Sequence, residues 1–135
     1  MFVKDSDVLE IKVYYKKVKH NNYEVYTEKE YKAVEKKEGH NELNLKMREL
    51  TWGLYNELQE DAMVEDAQGE RRFNFKLYKE NRLGKLIQSW NAKTEEDKPV
   101  SVNSSSIAHL VPEVAETILR AYDEISFVGD EEEKK

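Results

Sequence analysis

The chain contains no cysteine and little proline or glycine. Without thiols it can form no disulfide, thiolate metal site or cysteine nucleophile, and this composition fits a reducing compartment. Two prolines and five glycines in 135 residues leave no room for a long low-complexity linker. No apolar run approaches the roughly 20 residues that cross a bilayer. The first residues, Met1–Asp7, also lack a basic region followed by an apolar run, so we expect no signal peptide.

Charge is plentiful but unevenly distributed. Charged residues make up 37% of the chain, against about a quarter in typical globular proteins. Residues 91–135 contain five Lys or Arg and eleven Asp or Glu, which accounts for the net charge of −6. An acidic surface repels phosphate backbones, so nucleic acid is not expected as a general partner. A chain of this length is expected to form one domain.

The first third of the chain has the alternating pattern of β-strands. In Val8–Val18, polar residues alternate with Leu9, Ile11, Val13 and Tyr15. We predict a hairpin between this strand and Tyr23–Tyr26, with its turn at His20–Asn22. A third strand is predicted around Leu43, Leu45 and Met47, which also alternate with polar residues.

Residues 27–38 fit two patterns. Thr27–Glu30 is a capping-box sequence, and Gly39 suits the position after a helix end. The same residues, up to Tyr31, also continue the alternation of an extended strand. We favour a short helix.

The lysines of the first strand, Lys12, Lys16, Lys17 and Lys19, interleave with tyrosines. Such a strand can bind nucleic acid through charge and stacking. Lysines also protect edge strands from pairing with another chain. We favour the second interpretation, an edge strand.

Helical periodicity begins near residue 51. Thr51 is predicted to cap a helix that runs to about Asp66, and Asn74 to cap a second helix. The second helix is expected to carry an apolar stripe formed by Leu83, Leu86, Ile87 and Trp90. Gly84 lies inside this helix and costs it about 1 kcal/mol relative to alanine.

Two further helices are predicted after a polar loop at residues 91–100. A short helix is expected to start at Asn103 or Ser104, and a long helix has Pro112 in its first turn. The sequence thus predicts an α+β fold, in which a small N-terminal antiparallel hairpin or sheet precedes a bundle of three to four helices.

These elements are expected to form a single domain over residues 1–128. Residues 1–48 are predicted to be mainly β and residues 51–128 helical. Residues 129–135 have nothing to bury and are predicted to form a flexible acidic tail.

Chemistry-bearing residues show no spacing typical of an active site. His20, His40 and His109 are isolated, and no metal-ligand motif surrounds them. Glu57 and Asp61 share a helix face, which we interpret as a solvated surface that can meet a basic partner. We therefore expect no catalytic residue, no cofactor, no metal and no enzymatic activity.

Three segments carry a more distinctive pattern. They are Leu-Thr-Trp-Gly-x-Tyr-x-Glu-Leu at Leu50–Leu58, Leu-Ile-x-Ser-Trp-Asn at Leu86–Asn91, and the stretch Lys98–Leu119, which contains Leu-Val-Pro-Glu-Val-Ala-Glu. In pattern and order they resemble the tail assembly chaperones of long-tailed bacteriophages. The resemblance covers most of residues 43–124, whereas residues 1–42 match nothing in that family.

The resemblance implies a non-enzymatic protein of the infected host's cytoplasm that binds the tape measure protein and recruits tail tube subunits. The candidate partner-binding residues are Trp52, Tyr55, Leu58, Trp90, Ile118 and Tyr122. Both tryptophans are core residues by default, because large aromatic side chains are usually buried. Formation of a homo-oligomer stays open. The alternative is a structural component of the virion tail, neck or baseplate, in which the N-terminal hairpin adds a strand to a neighbouring sheet.

Overall fold

The computed structural model describes residues 1–4, 6–20 and 22–126. These residues form a four-stranded antiparallel sheet, a two-stranded hairpin and five helices, so the predicted α+β class is confirmed. In chain order the elements are β1 (Val8–Lys19), β2 (Asn22–Thr27), α1 (Glu28–Tyr31), β3 (Asn41–Arg48), α2 (Trp52–Asp61), β4 (Met63–Glu65), β5 (Arg71–Phe73), α3 (Phe75–Leu86), β6 (Ile87–Trp90), α4 (Ser104–Ala108) and α5 (Pro112–Ser126). The tail predicted at residues 129–135 lies outside the described residues.

The four-stranded sheet has the order β2-β1-β3-β6. β1 pairs with both β2 and β3, with Val13 opposite Thr27 and Ile11 opposite Leu45. The three predicted strands are therefore confirmed. Because β1 lies inside the sheet, its interpretation as a lysine-protected edge strand is wrong. Within the described part of the chain, the edge strands are β2 and β6.

One face of the sheet is apolar, as the two-residue period of a strand requires. Its buried side chains on β1 and β3 are Ile11, Val13, Leu43, Leu45 and Met47. Helix α5 covers this face with Val114, Ile118, Leu119, Ala121 and Tyr122. Full burial of an apolar side chain of this kind contributes roughly 1.5–3 kcal/mol. Burial of apolar side chains between α5 and the sheet therefore stabilises the fold.

Helix α1 is shorter than predicted. Thr27 Oγ1 accepts a hydrogen bond from Glu30 N at 3.1 Å, and the Glu30 carboxylate accepts one from Thr27 N at 3.0 Å. The capping box is therefore confirmed. The helix nevertheless ends at Tyr31, where the Tyr31 ring stacks on Tyr14 of β1 with 3.9 Å between ring centroids. Gly39 does not follow a helix end, and its φ of +75° belongs to a bend before β3.

Helix α2 ends at Asp61 rather than at Asp66. The residues after it form the hairpin of β4 and β5. Asp66 stabilises the hairpin turn, because its Oδ1 accepts hydrogen bonds from the backbone amides of Gln68 and Glu70, both at 2.9 Å. These bonds close the turn at Gly69, whose φ is +80°. The chain therefore turns back where the sequence predicted a continuous helix.

Ile87 and Trp90 lie on strand β6, so their assignment to the helical stripe is wrong. Helix α3 ends at Leu86, and β6 pairs with β3 so that Trp90 lies opposite Leu45. The unpaired edge of β3 offers backbone donors and acceptors that a continued helix would leave unsatisfied. Residues 51–128 are therefore not helical throughout, because the sheet takes its fourth strand from them.

Gly84 of α3 faces the short helix α4. Asn103, one of the two predicted starts, caps α4, and Ile107 of α4 is buried. A Cβ atom placed on Gly84 would have Ile107 Cδ1 as its nearest neighbour, at 4.0 Å, which is an ordinary van der Waals contact. The helix therefore has room for a methyl group at this position.

Substitution of Gly84→Ala is expected to raise the free energy of unfolding by about 0.5–1 kcal/mol, because alanine has the higher helix propensity. The matched control is Gly69→Ala, where the φ of +80° makes a side chain unfavourable. The free energy of unfolding of the control variant is expected to fall by about 1 kcal/mol. Urea denaturation of both variants measures the difference. Destabilisation by Gly84→Ala would mean that crowding against Ile107 outweighs propensity.

Candidate binding surface

Trp52 and Tyr55 form an exposed aromatic stack at the start of α2. Thr51 caps this helix, because its Oγ1 accepts a hydrogen bond from Leu54 N at 3.0 Å. Residues three apart share a helix face, and the two rings lie 5.7 Å apart with 15° between their planes. Trp52 is 77% exposed and Tyr55 is 40% exposed. A large apolar surface thus stands in water on a fixed helical turn.

Leu58, Ile118 and Tyr122 are core residues and offer almost no exposed surface to a partner on the folded protein. Each is at most 2% exposed. The selection of these three as contact residues is therefore corrected. Their helical spacing reflects packing inside the domain. Burial raises the pKa of Tyr122, and its hydroxyl donates a hydrogen bond to the Arg48 carbonyl at 2.9 Å.

Trp90 is half-buried and already engaged within the domain. Its Nε1 donates a hydrogen bond to the Val100 carbonyl at 2.7 Å, which ties β6 to the following loop. The apolar part of its ring packs against the core cluster. Of the six candidate residues, Trp52 and Tyr55 alone are exposed enough to offer a binding surface.

A groove between α3 and α5, called here the α3–α5 groove, continues from the aromatic stack. It consists of two hollows, of about 450 and about 480 Å³, which share Tyr78, Arg82 and Asp123 as lining residues. Tyr55 lines one hollow and Phe75 lines the other. The groove thus extends from the Trp52–Tyr55 stack to the first residue of α3.

Sequence reasoning missed Phe75, which is 69% exposed. Phe75 packs edge-on against Phe73, with 5.0 Å between ring centroids. Helical periodicity could have pointed to Phe75, because this residue shares a helical face with Leu86, about three turns away. The same face is buried at Leu86 and exposed at Phe75, because the helix begins outside the core.

Arg82 lies where the two hollows meet. Its Nη2 donates a hydrogen bond to Asp123 Oδ1 at 2.5 Å. Its guanidinium carbon lies 5.7 Å from the ring centroid of Tyr78 and 5.8 Å from that of Tyr122. Cation–π contacts of this length contribute about 0.5–2 kcal/mol. The middle of the groove is therefore polar, but its charges are paired and its walls stay aromatic.

Two further ion pairs border the groove. Lys79 Nζ donates to Glu116 Oε1 at 2.8 Å, which joins α3 to α5. Arg120 of α5 binds Glu30 of α1 through two hydrogen bonds, of 3.0 and 2.9 Å. The bonds from Arg120 lower the pKa of Glu30, and those from Glu30 raise the pKa of Arg120. All three basic residues that line the groove are thus paired with carboxylates.

The carboxylates of α2 that were expected to face a basic partner bind a lysine of the same chain. Lys85 of α3 donates hydrogen bonds to Glu57 and to Asp61, the latter with an Nζ–Oδ2 distance of 3.2 Å. The bond to Glu57 is the main cause of a raised pKa for Lys85. This face therefore joins α2 to α3 and offers little free charge to another protein.

Within the described residues, the histidines belong to no group that could hold a metal ion. In residues 1–4, 6–20 and 22–126, no group of three or more His, Cys, Asp or Glu side chains is arranged to hold a metal ion. The His40 side chain is 3% exposed and packs against Tyr26 and Tyr31. Its Nε2 lies 3.6 Å from Glu24 Oε2. His40 thus belongs to an aromatic cluster on the outer side of the sheet.

No protein-family model, curated protein or solved structure matches the chain. The structure also has, among its described helices, none with the length and apolar character needed to cross a membrane.

The Glu30–Arg120 pair is expected to give a pH-dependent coupling energy. In the folded protein, the pKa of Glu30 lies below its ordinary value of 4.5. The contribution of the Glu30–Arg120 pair to the free energy of unfolding is therefore present above pH 4.5. It is lost as the pH falls through the pKa of Glu30 in the folded protein. Both side chains are partly exposed, so solvent screening limits the coupling at pH 7 to about 0.5–1 kcal/mol.

A double-mutant cycle of Glu30→Gln and Arg120→Met measures this coupling by urea denaturation at neutral and acidic pH. Glutamine at position 30 keeps the capping box, so the cycle isolates the ion pair. A coupling energy that stays constant as the pH falls would contradict the expectation.

Proposed function

We propose that this protein is a non-enzymatic tail assembly chaperone of a long-tailed phage, which binds the tape measure protein and recruits tail tube subunits in the host cytoplasm. The observation that carries the proposal is the exposed Trp52–Tyr55 stack. It falls within Leu50–Leu58, the first of the segments that resemble this family. The position that the resemblance singles out is therefore a surface suited to protein contacts.

Aromatic rings exposed to water gain free energy when a partner covers them. Trp and Tyr are enriched among the few residues that dominate binding energy at protein interfaces. An aromatic side chain buries about 150–250 Å², and each Å² of apolar surface contributes about 25 cal/mol on leaving water. The stack thus offers several kcal/mol to a partner that covers it. This supports a contact function for the pair.

A chaperone must also release its partner. The stack consists of only two side chains, and the chain as a whole is 37% charged with a net charge of −6. Such a surface keeps the free protein apart from its own copies. Binding through one compact aromatic site within a charged exterior favours moderate, reversible affinity.

The proposal is tested with the tape measure and tail tube proteins encoded by the same phage. Affinity-tagged protein is expected to recover both from co-expressing cells. Trp52→Ala combined with Tyr55→Ala is expected to weaken binding by about 10- to 100-fold, as the loss of hot-spot aromatics does. Phe2→Ala is the control, because Phe2 is 91% exposed but lies outside the resembling segments. Recovery of neither protein by the unmodified chain would contradict the proposal.

A structural component of the virion is the second candidate, and the edge position of β2 favours it. Among the described residues nothing pairs with the outer side of β2, so an extended segment of a neighbouring subunit can add a strand there. Mass spectrometry of purified virions separates the candidates. A chaperone is expected to be absent from virions, whereas a structural component is present in a fixed copy number.

A further inference from the structure

We infer that the α3–α5 groove binds a basic segment of a partner protein that carries aromatic or aliphatic side chains. This inference deepens the proposed function and rests on it, because the groove begins at Tyr55. Two independent features of the groove support it, namely its shape and the balance of its charges.

The shape suits anchoring side chains rather than a flat contact. The two hollows, of about 450 and about 480 Å³, lie within the range of roughly 300–1,000 Å³ that is typical of ligand sites. Tyr55, Tyr78 and Phe75 provide aromatic surface along the groove. A partner with two apolar side chains can place one in each hollow, on either side of the Arg82–Asp123 pair.

The charges leave a negative surplus. The basic lining residues Lys79, Arg82 and Arg120 each bind a carboxylate of this chain. Two other lining residues, Glu49 and Glu124, have no Lys or Arg nitrogen within 4.0 Å in the part of the chain that the structure describes. A segment that enters the groove therefore meets carboxylates that can pair with it.

This balance selects the chemistry of the partner. Lys or Arg beside the apolar anchors of a partner would pair with Glu49 and Glu124, whereas acidic side chains would meet like charges. A nucleic acid would be repelled for the same reason. A second copy of this acidic chain is also disfavoured by its net charge of −6.

Three synthetic peptides test the inference directly. They share the same Phe and Leu positions along about 18 residues, and they carry Lys, Gln or Glu at the remaining positions. Fluorescence anisotropy with the full chain is expected to show the Lys peptide binding about tenfold or more tightly than the Glu peptide at low salt. This preference is expected to shrink as the salt concentration rises. Equal affinity for the three peptides would overturn the inference.

Two variants locate the binding within the protein. Glu49→Gln combined with Glu124→Gln is expected to lower the affinity for the Lys peptide about three- to tenfold and to flatten its salt dependence. Glu95→Gln is the matched control, since Glu95 is exposed in the loop after β6 and lines no hollow of the groove. Phe75→Ala is expected to lower the affinity for all three peptides by the same factor, because it removes an apolar contact. Unchanged binding in both groove variants would overturn the inference.

Failure of the groove inference can be distinguished from failure of the proposed function. If tape measure and tube proteins are recovered through Trp52 and Tyr55 while the peptides show no charge preference, the groove inference fails and the proposed function stands. If the Lys peptide binds in the groove but neither phage protein is recovered, the proposed function fails and a basic partner of another kind is indicated. Light scattering that shows a dimer dissociated by Phe75→Ala would assign the groove to a second copy and overturn the inference.

Discussion

The packing of α5 against one face of the sheet determines where the other elements can lie. Ile118 and Tyr122 of α5 belong to the same core cluster as Ile11, Val13 and Met47, and all five side chains are almost completely buried. The apolar area that α5 leaves uncovered is filled by Leu83 and Leu86 of α3 and by Ile107 of α4. Helix α3 therefore reaches the core beside α5, and the groove between the two helices is a direct consequence of how they share the sheet.

Ion pairs bridge the two sides of this groove. Arg82–Asp123 and Lys79–Glu116 both join α3 to α5 near the surface. Pairs of this kind contribute little to stability, about 0–1 kcal/mol each. The guanidinium of Arg82 also lies beside the rings of Tyr78 and Tyr122. The groove thus combines paired charges with aromatic walls.

Local patterns in the sequence were sufficient for some elements and insufficient for others. The alternation in β1 and β3 and the caps at Thr51 and Asn74 depend on neighbouring residues, and they predicted the strands and the helix starts. The end of α3 depends on a distant partner. Ile87 and Trp90 have helical spacing, but β3 requires a neighbour to satisfy its backbone, and pairing of Trp90 with Leu45 meets that requirement. Helical periodicity carries no information about a strand so far away in the chain.

The candidate site shows the same division between local and distant information. Residue type selected Trp52, Leu58 and Tyr122 equally, because all are large and apolar. Their exposure is decided by how far along each helix the core extends, which is a property of the assembled fold. Leu58 lies over the core, whereas Trp52 lies at the end of α2 that projects beyond it. Spacing therefore predicted the faces of the helices but not the part of each face that reaches solvent.

Trp52 and Phe75 occupy equivalent positions in their helices. Each is the first helical residue after a cap, Thr51 for α2 and Asn74 for α3, and each is among the most exposed large apolar side chains of the described chain. Both caps bond the backbone of the first turn, to Leu54 N and Leu77 N at 3.0 Å. A capped turn keeps its backbone conformation before a partner arrives, so less conformational entropy is lost on binding. The caps that start these helices therefore also fix the backbone that carries the exposed rings of Trp52 and Phe75.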